Sequence, residues 1–458
     1  MVRRRATAAL GALGLVGLAG CTLITDSFLS NDFSGDPFPV PVDTTTGAIM
    51  VGVRQAGSSD RAAVLDLLSP FTVTDPGPGI LPSLTYADLT LLGAAPGGAL
   101  GVPRARFRSA QLIAVHPCDT DTCSVGEEGG LREFGAILGA DSLAGDAIRL
   151  RLGDDKMFVL PDVGGSDPAR SLNCDAVFRS PYRGGGTLVV VGTELPFGNR
   201  RITVQACLGQ DPDPPLDLAP PSTGGLSPYL TALNQRGSDV LLVVSTSIGI
   251  TILGESAYQR YLQAHPDAPG PTGSGVVYMP SGPVAGQRAR IDRLALVAAP
   301  TSNALAPCRQ IYAHRLLSAH ALRNTQTECA EPGAVPPADS GLLDCPCKNG
   351  DASCPVPAIL ELDATSDGGL DILVVPDSDP TLQALRTELR PDQPEVDGLL
   401  GTNALRAAEI DVDYPHDRLV TRCAGPGCTA RPQLATTADR CQINHCIYGS
   451  INNEGCAP

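Results

Sequence analysis

Residues 135–152 read GAILGADSLAGDAIRLRL and residues 397–414 read DGLLGTNALRAAEIDVDY. Setting Gly139 on Gly401 places Ile137-Leu138 on Leu399-Leu400 and Leu143 on Leu405. An alternating run follows each: Ile148-Arg-Leu-Arg-Leu152 in one, Ile410-Asp-Val-Asp-Tyr414 in the other. Physically, each segment is an apolar strand end, a glycine where the backbone turns tightly, a short helical turn and a half-buried strand. A second pair lies upstream. Residues 62–74 read AAVLDLLSPFTVT and residues 241–253 read LLVVSTSIGITIL, so that Asp66 falls on Ser245 and Phe71-Thr72-Val73 on Ile250-Thr251-Ile252. Both start as apolar strands, break at small or polar residues and resume. Each half therefore runs strand–turn–strand, intervening hairpins, Leu-Gly turn, strand. Two unrelated motifs recurring in the same order predict a duplicated, two-lobed chain.

Composition agrees. Fifty Gly, 41 Pro, no Trp and many Val, Leu, Ile and Thr favour short strands and frequent turns over long helices. The predicted class is all-β, mainly β with short helices, with a first lobe over residues 47–210 and a second over 219–422. The break between them is the Asp/Pro-rich GQDPDPPL run and the following PPSTGG. The distance from Ser245 to Gly401 is about twice that from Asp66 to Gly139, so the second lobe carries an insertion, which includes the cysteine-rich residues 308–354.

The pattern resembles the pepsin-type and retropepsin-type aspartic peptidases, whose lobes each carry Asp-Thr-Gly-Ser/Ala before a Thr-Val-Leu-type strand, then two apolar residues and a Gly. DGLLGTNALRAAEIDVDYPHDRLV is the strongest match, followed by DLLSPFTV and STSIGITILGESAY. The resemblance spans residues 47–422 as topology, but only the motif pairs carry it as sequence. It implies two β-barrel lobes, a cleft able to hold a peptide or protein ligand, and a hairpin flap between Leu84 and Cys118 with Tyr86 as its aromatic.

The chemistry of that family needs two carboxylates sharing one proton, one serving as acid and the other as base. Here the first turn keeps Asp66 but has Leu67-Leu68 where Thr-Gly is expected, and the second has Ser245 where the second acid should stand, with Ile248 and Gly249 out of pattern. A hydroxyl cannot share a proton as a carboxylate does near neutral pH. Asp239, six residues before Ser245 on the incoming strand, is not placed to replace it. The expectation is a catalytically degenerate body serving as a binding or envelope-structural protein. The alternative is an active aspartic endopeptidase with a rearranged dyad.

The first residues predict export. Arg3, Arg4 and Arg5 precede a short apolar stretch from Ala6 to Gly17, too short to span a bilayer comfortably, and Leu18-Ala19-Gly20-Cys21 closes it. That string resembles the lipobox of bacterial lipoproteins. The resemblance implies a signal peptide over 1–20, palmitate-type lipidation of Cys21, and anchoring to the cell envelope, with Thr22 pointing to the outer membrane, at its periplasmic face or the cell surface. Residues 21–46, rich in Ser, Asp, Pro and Gly, read as a tether.

Fifteen cysteines less Cys21 leave an even fourteen, as expected of a disulfide-forming compartment. Close candidates are Cys118 with Cys123, Cys423 with Cys428 and Cys441 with Cys446, and Cys174 with Cys207 is a longer one whose closure would stabilise by roughly 3 kcal/mol. The tail 423–458, with five cysteines in 36 residues, is too small to own a core. Zinc at Cys345-Pro-Cys347 with Cys354 is the rival reading, but no second ligand pair stands at zinc spacing, and no metal or cofactor is expected.

A net charge of −16 argues against nucleic acid as a partner. Asp363-Ala-Thr-Ser-Asp-Gly-Gly-Leu-Asp371 has Val374 where a calcium loop needs glutamate and reads as a hairpin turning at Asp-Gly-Gly. His314, His320 and His445 do not cluster, and no P-loop, Gly-x-Ser-x-Gly or His-Glu-x-x-His is present.

Overall fold

The computed structural model describes residues 38–94, 105–118, 122–143, 146–161, 176–179, 185–190, 192–198, 201–209, 238–297, 308, 357–363, 369–388, 395–415, 418–424 and 427–432. Cys21, Cys174, Cys345, Cys347, Cys354, Cys441, Cys446, His314, His320 and His445 lie outside these residues, as do the expected signal segment, the expected tether up to residue 37 and most of the cysteine-rich insertion and tail. The last part of the expected tether, residues 38–46, is instead folded, with Phe38–Pro41 paired to Lys156–Val159 and Val40 and Val42 buried.

The first half supplies β1 (Phe38–Pro41), β2 (Met50–Gln55), β3 (Asp60–Leu65), β4 (Val73–Thr74), β5 (Ser83–Leu91) and β6 (Ala105–Ala114). β7 (Ser124–Glu127), β8 (Arg132–Glu133), β9 (Ala136–Leu138), the one-turn helix α1 (Ala140–Leu143), β10 (Asp146–Arg151) and β11 (Lys156–Pro161) follow. Between the halves come β12 (Ala176–Arg179), the hairpin β13 (Gly185–Val190) and β14 (Thr193–Gly198), and β15 (Thr203–Gly209).

The second half begins with β16 (Ser238–Val244), β17 (Thr251–Gly254), α2 (Glu255–Ala264), β18 (Gly273–Met279), β19 (Gly282–Ile291) and β20 (Arg293–Val297). It continues with β21 (Pro357–Asp363), β22 (Leu370–Val375), α3 (Pro380–Glu388), β23 (Gly398–Leu400) and α4 (Thr402–Leu405). β24 (Ala408–Asp413), β25 (Arg418–Cys423) and β26 (Cys428–Pro432) complete it.

The mainly β architecture expected from the repeat is what the chain adopts. β2-β3-β9-β4-β6-β5 close a barrel, β26-β21-β20-β15-β16-β23-β17-β22-β19-β18-β7-β8 form a twelve-stranded sheet, and β1-β11-β10-β24-β25-β12 form a six-stranded sheet that takes strands from both halves. The duplication holds bond by bond. β9 runs parallel to β3 (Leu65 opposite Leu138) and antiparallel to β4 (Val73 opposite Ile137). Likewise β23 runs parallel to β16 (Val244 opposite Leu400) and antiparallel to β17 (Ile252 opposite Leu399).

The two Leu-Gly glycines are required by this crossing. A Cβ on Gly139 would stand 2.2 Å from the Phe71 carbonyl oxygen, and one on Gly401 would stand 2.4 Å from that of Ile250. Each glycine N–H instead donates to a threonine hydroxyl, Gly139 to Thr72 (3.1 Å) and Gly401 to Thr251 (3.2 Å). Those hydroxyls in turn donate to Asp141 (2.7 Å) and Asn403 (3.0 Å), equivalent residues of the two short helices.

The alternating runs meet in the middle. β10 and β24 pair antiparallel with Arg149 directly opposite Asp411, joined by two side-chain hydrogen bonds of 2.7 and 2.8 Å. Ile148, Leu150, Ile410 and Val412 point into one continuous apolar core. The half-buried expectation fails for β24, however, because all six of its residues are buried. Its acidic face is closed by arginines: Arg149 and Arg422 on Asp411, Arg151 and Arg422 on Glu409. Buried carboxylates are tolerated when paired in this way.

Local patterns misplaced several other elements. β15, inside residues 47–210, pairs with β16 and β20 and so belongs to the second sheet. β21 and β22, expected to form a hairpin, do not pair. β21 lies between β20 and β26, and β22 lies between β17 and β19. Of the cystines, Cys118–Cys123 and Cys423–Cys428 form as expected, but Cys207 bonds to Cys308 across 101 residues rather than to Cys174. Cys207 lies on β15, between β16 and β20, and the Cys308 N–H donates at 2.7 Å to Asp239, the β16 residue opposite Cys207.

Candidate functional site

The Asp66 and Ser245 turns face each other. Asp66 donates its N–H to the Leu138 carbonyl (3.1 Å) and Ser245 donates its own to that of Leu400 (2.9 Å), so the two Leu-Gly strands hold the two turns in the same way. Between the turns lies a hydroxyl grip. Thr246 Oγ1 donates to the Leu65 carbonyl at 2.6 Å and accepts from the Leu67 N–H at 3.2 Å. The grip is one-sided, because the residue matching Thr246 in the first turn is Leu67, which has no hydroxyl and is buried in the core. Ile49 N–H closes the far side on the Thr246 carbonyl at 2.8 Å.

Asp66 is buried and accepts from the Leu68 N–H at 3.0 Å. The Ser247 hydroxyl also bonds its carboxylate, and Ser247 Oγ lies 3.2 Å from Ser245 Oγ. Burial pushes the Asp66 carboxyl above the usual aspartate range, while the hydrogen bonds from Leu68 and Ser247, the positive charge of Arg201 and the Ser69 N–H draw it part of the way back. Among the described residues, no second carboxylate acts on it. The acid is thus answered across the lobes by hydroxyls, a set that can accept and donate hydrogen bonds but cannot divide one proton between two acids.

The site is also closed. Ser245, Thr246 and Ser247 are fully buried, and the Gly47 backbone lies so near that of Gly249 that a Cβ on Gly47 would meet the Gly249 Cα at 2.1 Å. Leu68 packs with Leu241, Val243, Ile248 and Ile250 of the second half. Arg201 donates to the Leu68 carbonyl and pairs with Glu388 through bonds of 2.5 and 2.7 Å.

The structure therefore brings Asp66 and Ser245 into one cluster through Ser247. Tyr86 is elsewhere: it stands 65% exposed on β5, opposite Gln111 of β6. β5 and β6, the strands of the expected flap hairpin, also pair with β2 and β4 in the closed barrel, and residues 95–104 between them lie outside the described residues. Asp239 faces Cys207 and Cys308 instead of Asp66. Sequence reasoning missed Thr246, Ser247 and Arg201. The first two had a signal, since Ser245-Thr246-Ser247 keeps the threonine of Asp-Thr-Gly in place, whereas Arg201 had none.

No protein-family model matches the chain, and no curated protein matches it. Among solved structures it is similar to the crystal structure of an aspartic proteinase from Irpex lacteus, at 11% identity and a TM-score of 0.34, over 85% of this chain and 98% of that one. It is also similar to basic 7S globulin from soybean, at 12% identity and a TM-score of 0.36, over 85% and 97%. The aspartic-proteinase-like character of the fold rests on the duplicated strand crossings, the Leu-Gly turns and the hydroxyl grip within this chain.

Proposed function

We propose that this chain is an exported lipoprotein, anchored through Cys21, whose aspartic-peptidase-like body has lost the catalytic dyad and serves as a binding or envelope-structural module. The observation that carries the reading is the partner of Asp66: its carboxylate is bonded by the Ser247 hydroxyl, which lies 3.2 Å from that of Ser245, the residue at the position where a second acid would be needed. The burial of all three second-turn residues supports it further, since a scissile peptide would have to reach atoms that solvent does not. A peptide or protein ligand would bind away from this cluster, between the lobes or on the outer sheet faces.

The full chain incubated with casein at acid pH, with and without pepstatin, should show no cleavage above background, and Asp66→Asn should change nothing. Pepstatin-sensitive cleavage that disappears in Asp66→Asn would establish the alternative, an endopeptidase with a rearranged dyad. The anchor is checked by labelled palmitate in a bacterial host, with incorporation expected in the wild type and lost in Cys21→Ser.

A further inference from the structure

A second cluster sits on the barrel, outside the site described above. Beyond β6 the chain runs beside the exit of β4, with Val115 N–H donating to the Thr74 carbonyl at 3.1 Å. Here His116 Nδ1 lies 3.3 Å from Asp75 Oδ2, and His116 Nε2 lies 3.5 Å from Cys118 Sγ and 3.6 Å from Cys123 Sγ. Both sulfurs belong to the Cys118–Cys123 disulfide. The surroundings hold the parts in place. Asp75 N–H donates to the Gly135 carbonyl and its Oδ1 accepts from Gly77 N–H at 2.9 Å, leaving Oδ2 facing the imidazole. Cys123 is buried and accepts the Phe134 N–H on its carbonyl, while His116 keeps 40% of its side chain exposed.

We infer that the dithiol form of this cluster binds one tetrahedral, thiophilic divalent cation of the zinc class through His116 Nε2, Cys118 Sγ and Cys123 Sγ, and that formation of the disulfide releases it. The distances carry the inference. With zinc–sulfur and zinc–nitrogen bonds of about 2.3 and 2.0–2.1 Å, a tetrahedron has a nitrogen–sulfur edge of roughly 3.5–3.6 Å. Two such edges already exist, converging on one ring nitrogen. A histidine serving as base for a single nucleophilic thiol would need only one of them. The third edge, sulfur to sulfur, opens when the bond is reduced. Asp75 supplies the outer carboxylate that typically fixes a ligating histidine with its proton on the opposite nitrogen. The exposed side of His116 leaves the fourth position to water or an incoming ligand.

The chemistry balances with a small thiol as reductant. Two RSH transfer two electrons and two protons to the disulfide, giving RSSR and two cysteine thiols. The cation then displaces both thiol protons to solvent and is held by two thiolates and a neutral imidazole. Oxidation by a disulfide reverses the sequence and expels the metal.

The test uses the full chain, reduced anaerobically with excess small thiol, freed of it, and titrated with Zn²⁺ for stoichiometry and Co²⁺ as the optical probe. The reduced wild type should bind one cation more than reduced His116→Ala, whose cysteine content is identical, so that binding at other thiols cancels. Its thiolate-to-cobalt charge transfer and tetrahedral visible bands should be absent from the unreduced chain and weaker by one cation's worth in reduced Cys118→Ser. Asp75→Asn should retain the stoichiometry and weaken affinity by about 10- to 100-fold. Equal stoichiometry and spectra in wild type and His116→Ala, or equal uptake by the unreduced chain, would overturn the inference. Circular dichroism of the unreduced variants, expected to match the wild type, checks that the substitutions at His116 and Asp75 leave the fold intact.

Discussion

Asp66 is a buried acid at the first of two equivalent turns, surrounded by hydrogen-bond donors. Its carboxyl is raised by burial and lowered by the donors around it, and burial dominates. Folded Asp66 therefore holds its proton at pH values where the unfolded chain has released it, and stability contributed by this group falls as pH rises through that window. Wild type should gain stability relative to Asp66→Asn on acidification from neutrality toward the ordinary aspartate range, about 3.9. Urea unfolding of both proteins across a pH series checks this, and a pH-independent difference contradicts it. Thr246 is the other decisive residue. Thr246→Val leaves the Leu65 carbonyl and the Leu67 N–H buried without their partner, each costing about 1–3 kcal/mol. The urea midpoint should fall accordingly with an unchanged slope. The acid and the serine opposite it were legible because each sits at a strand end in a repeated frame. Ser247 as the bonded hydroxyl was not, because which of three small residues reaches the carboxylate depends on how the lobes dock.

At the scale of elements, the strand–glycine–strand crossing is the best-encoded feature of the chain. Gly139 and Gly401 are followed by equivalent one-turn helices and preceded by equivalent buried strands, and both meet a carbonyl oxygen at closer than any side chain allows. Gly139→Ala and Gly401→Ala should each destabilise by about 1–3 kcal/mol, the cost of forcing an atom into a packed site. Thermal unfolding of the two variants should show drops of similar size, and a drop at only one of them would break the equivalence. Hairpins were read less well. The Asp-Gly-Gly run at 367–369 between two apolar segments has sound turn chemistry. Yet β21 and β22 are separated in the sheet by the five strands β20, β15, β16, β23 and β17, because each found a buried neighbour elsewhere. The β5–β6 pair was recognisable as a hairpin, but its place in the barrel was set by pairing with β2 and β4.

Across the whole molecule, the halves are joined at several places, of which three stand out. β10 pairs with β24, β7 pairs with β18, and Thr246 grips the Asp66 turn. Such joining explains why the sheet boundaries ignore the proline-rich break between residues 210 and 219, which marks a change in composition without separating two independent sheets. The Cys207–Cys308 bond ties the insertion to the second sheet in the same long-range way. The amino-acid sequence by itself determined that the chain is duplicated, that its strands alternate as they do, and that the position opposite Asp66 lacks an acid. These are properties of residue type and short spacing. Only the tertiary structure decided which strands are neighbours, which cysteine meets Cys207, and that hydroxyls close over the remaining carboxylate. Those outcomes depend on contacts between residues a hundred or more positions apart, chosen by burial and hydrogen-bond satisfaction over the whole fold.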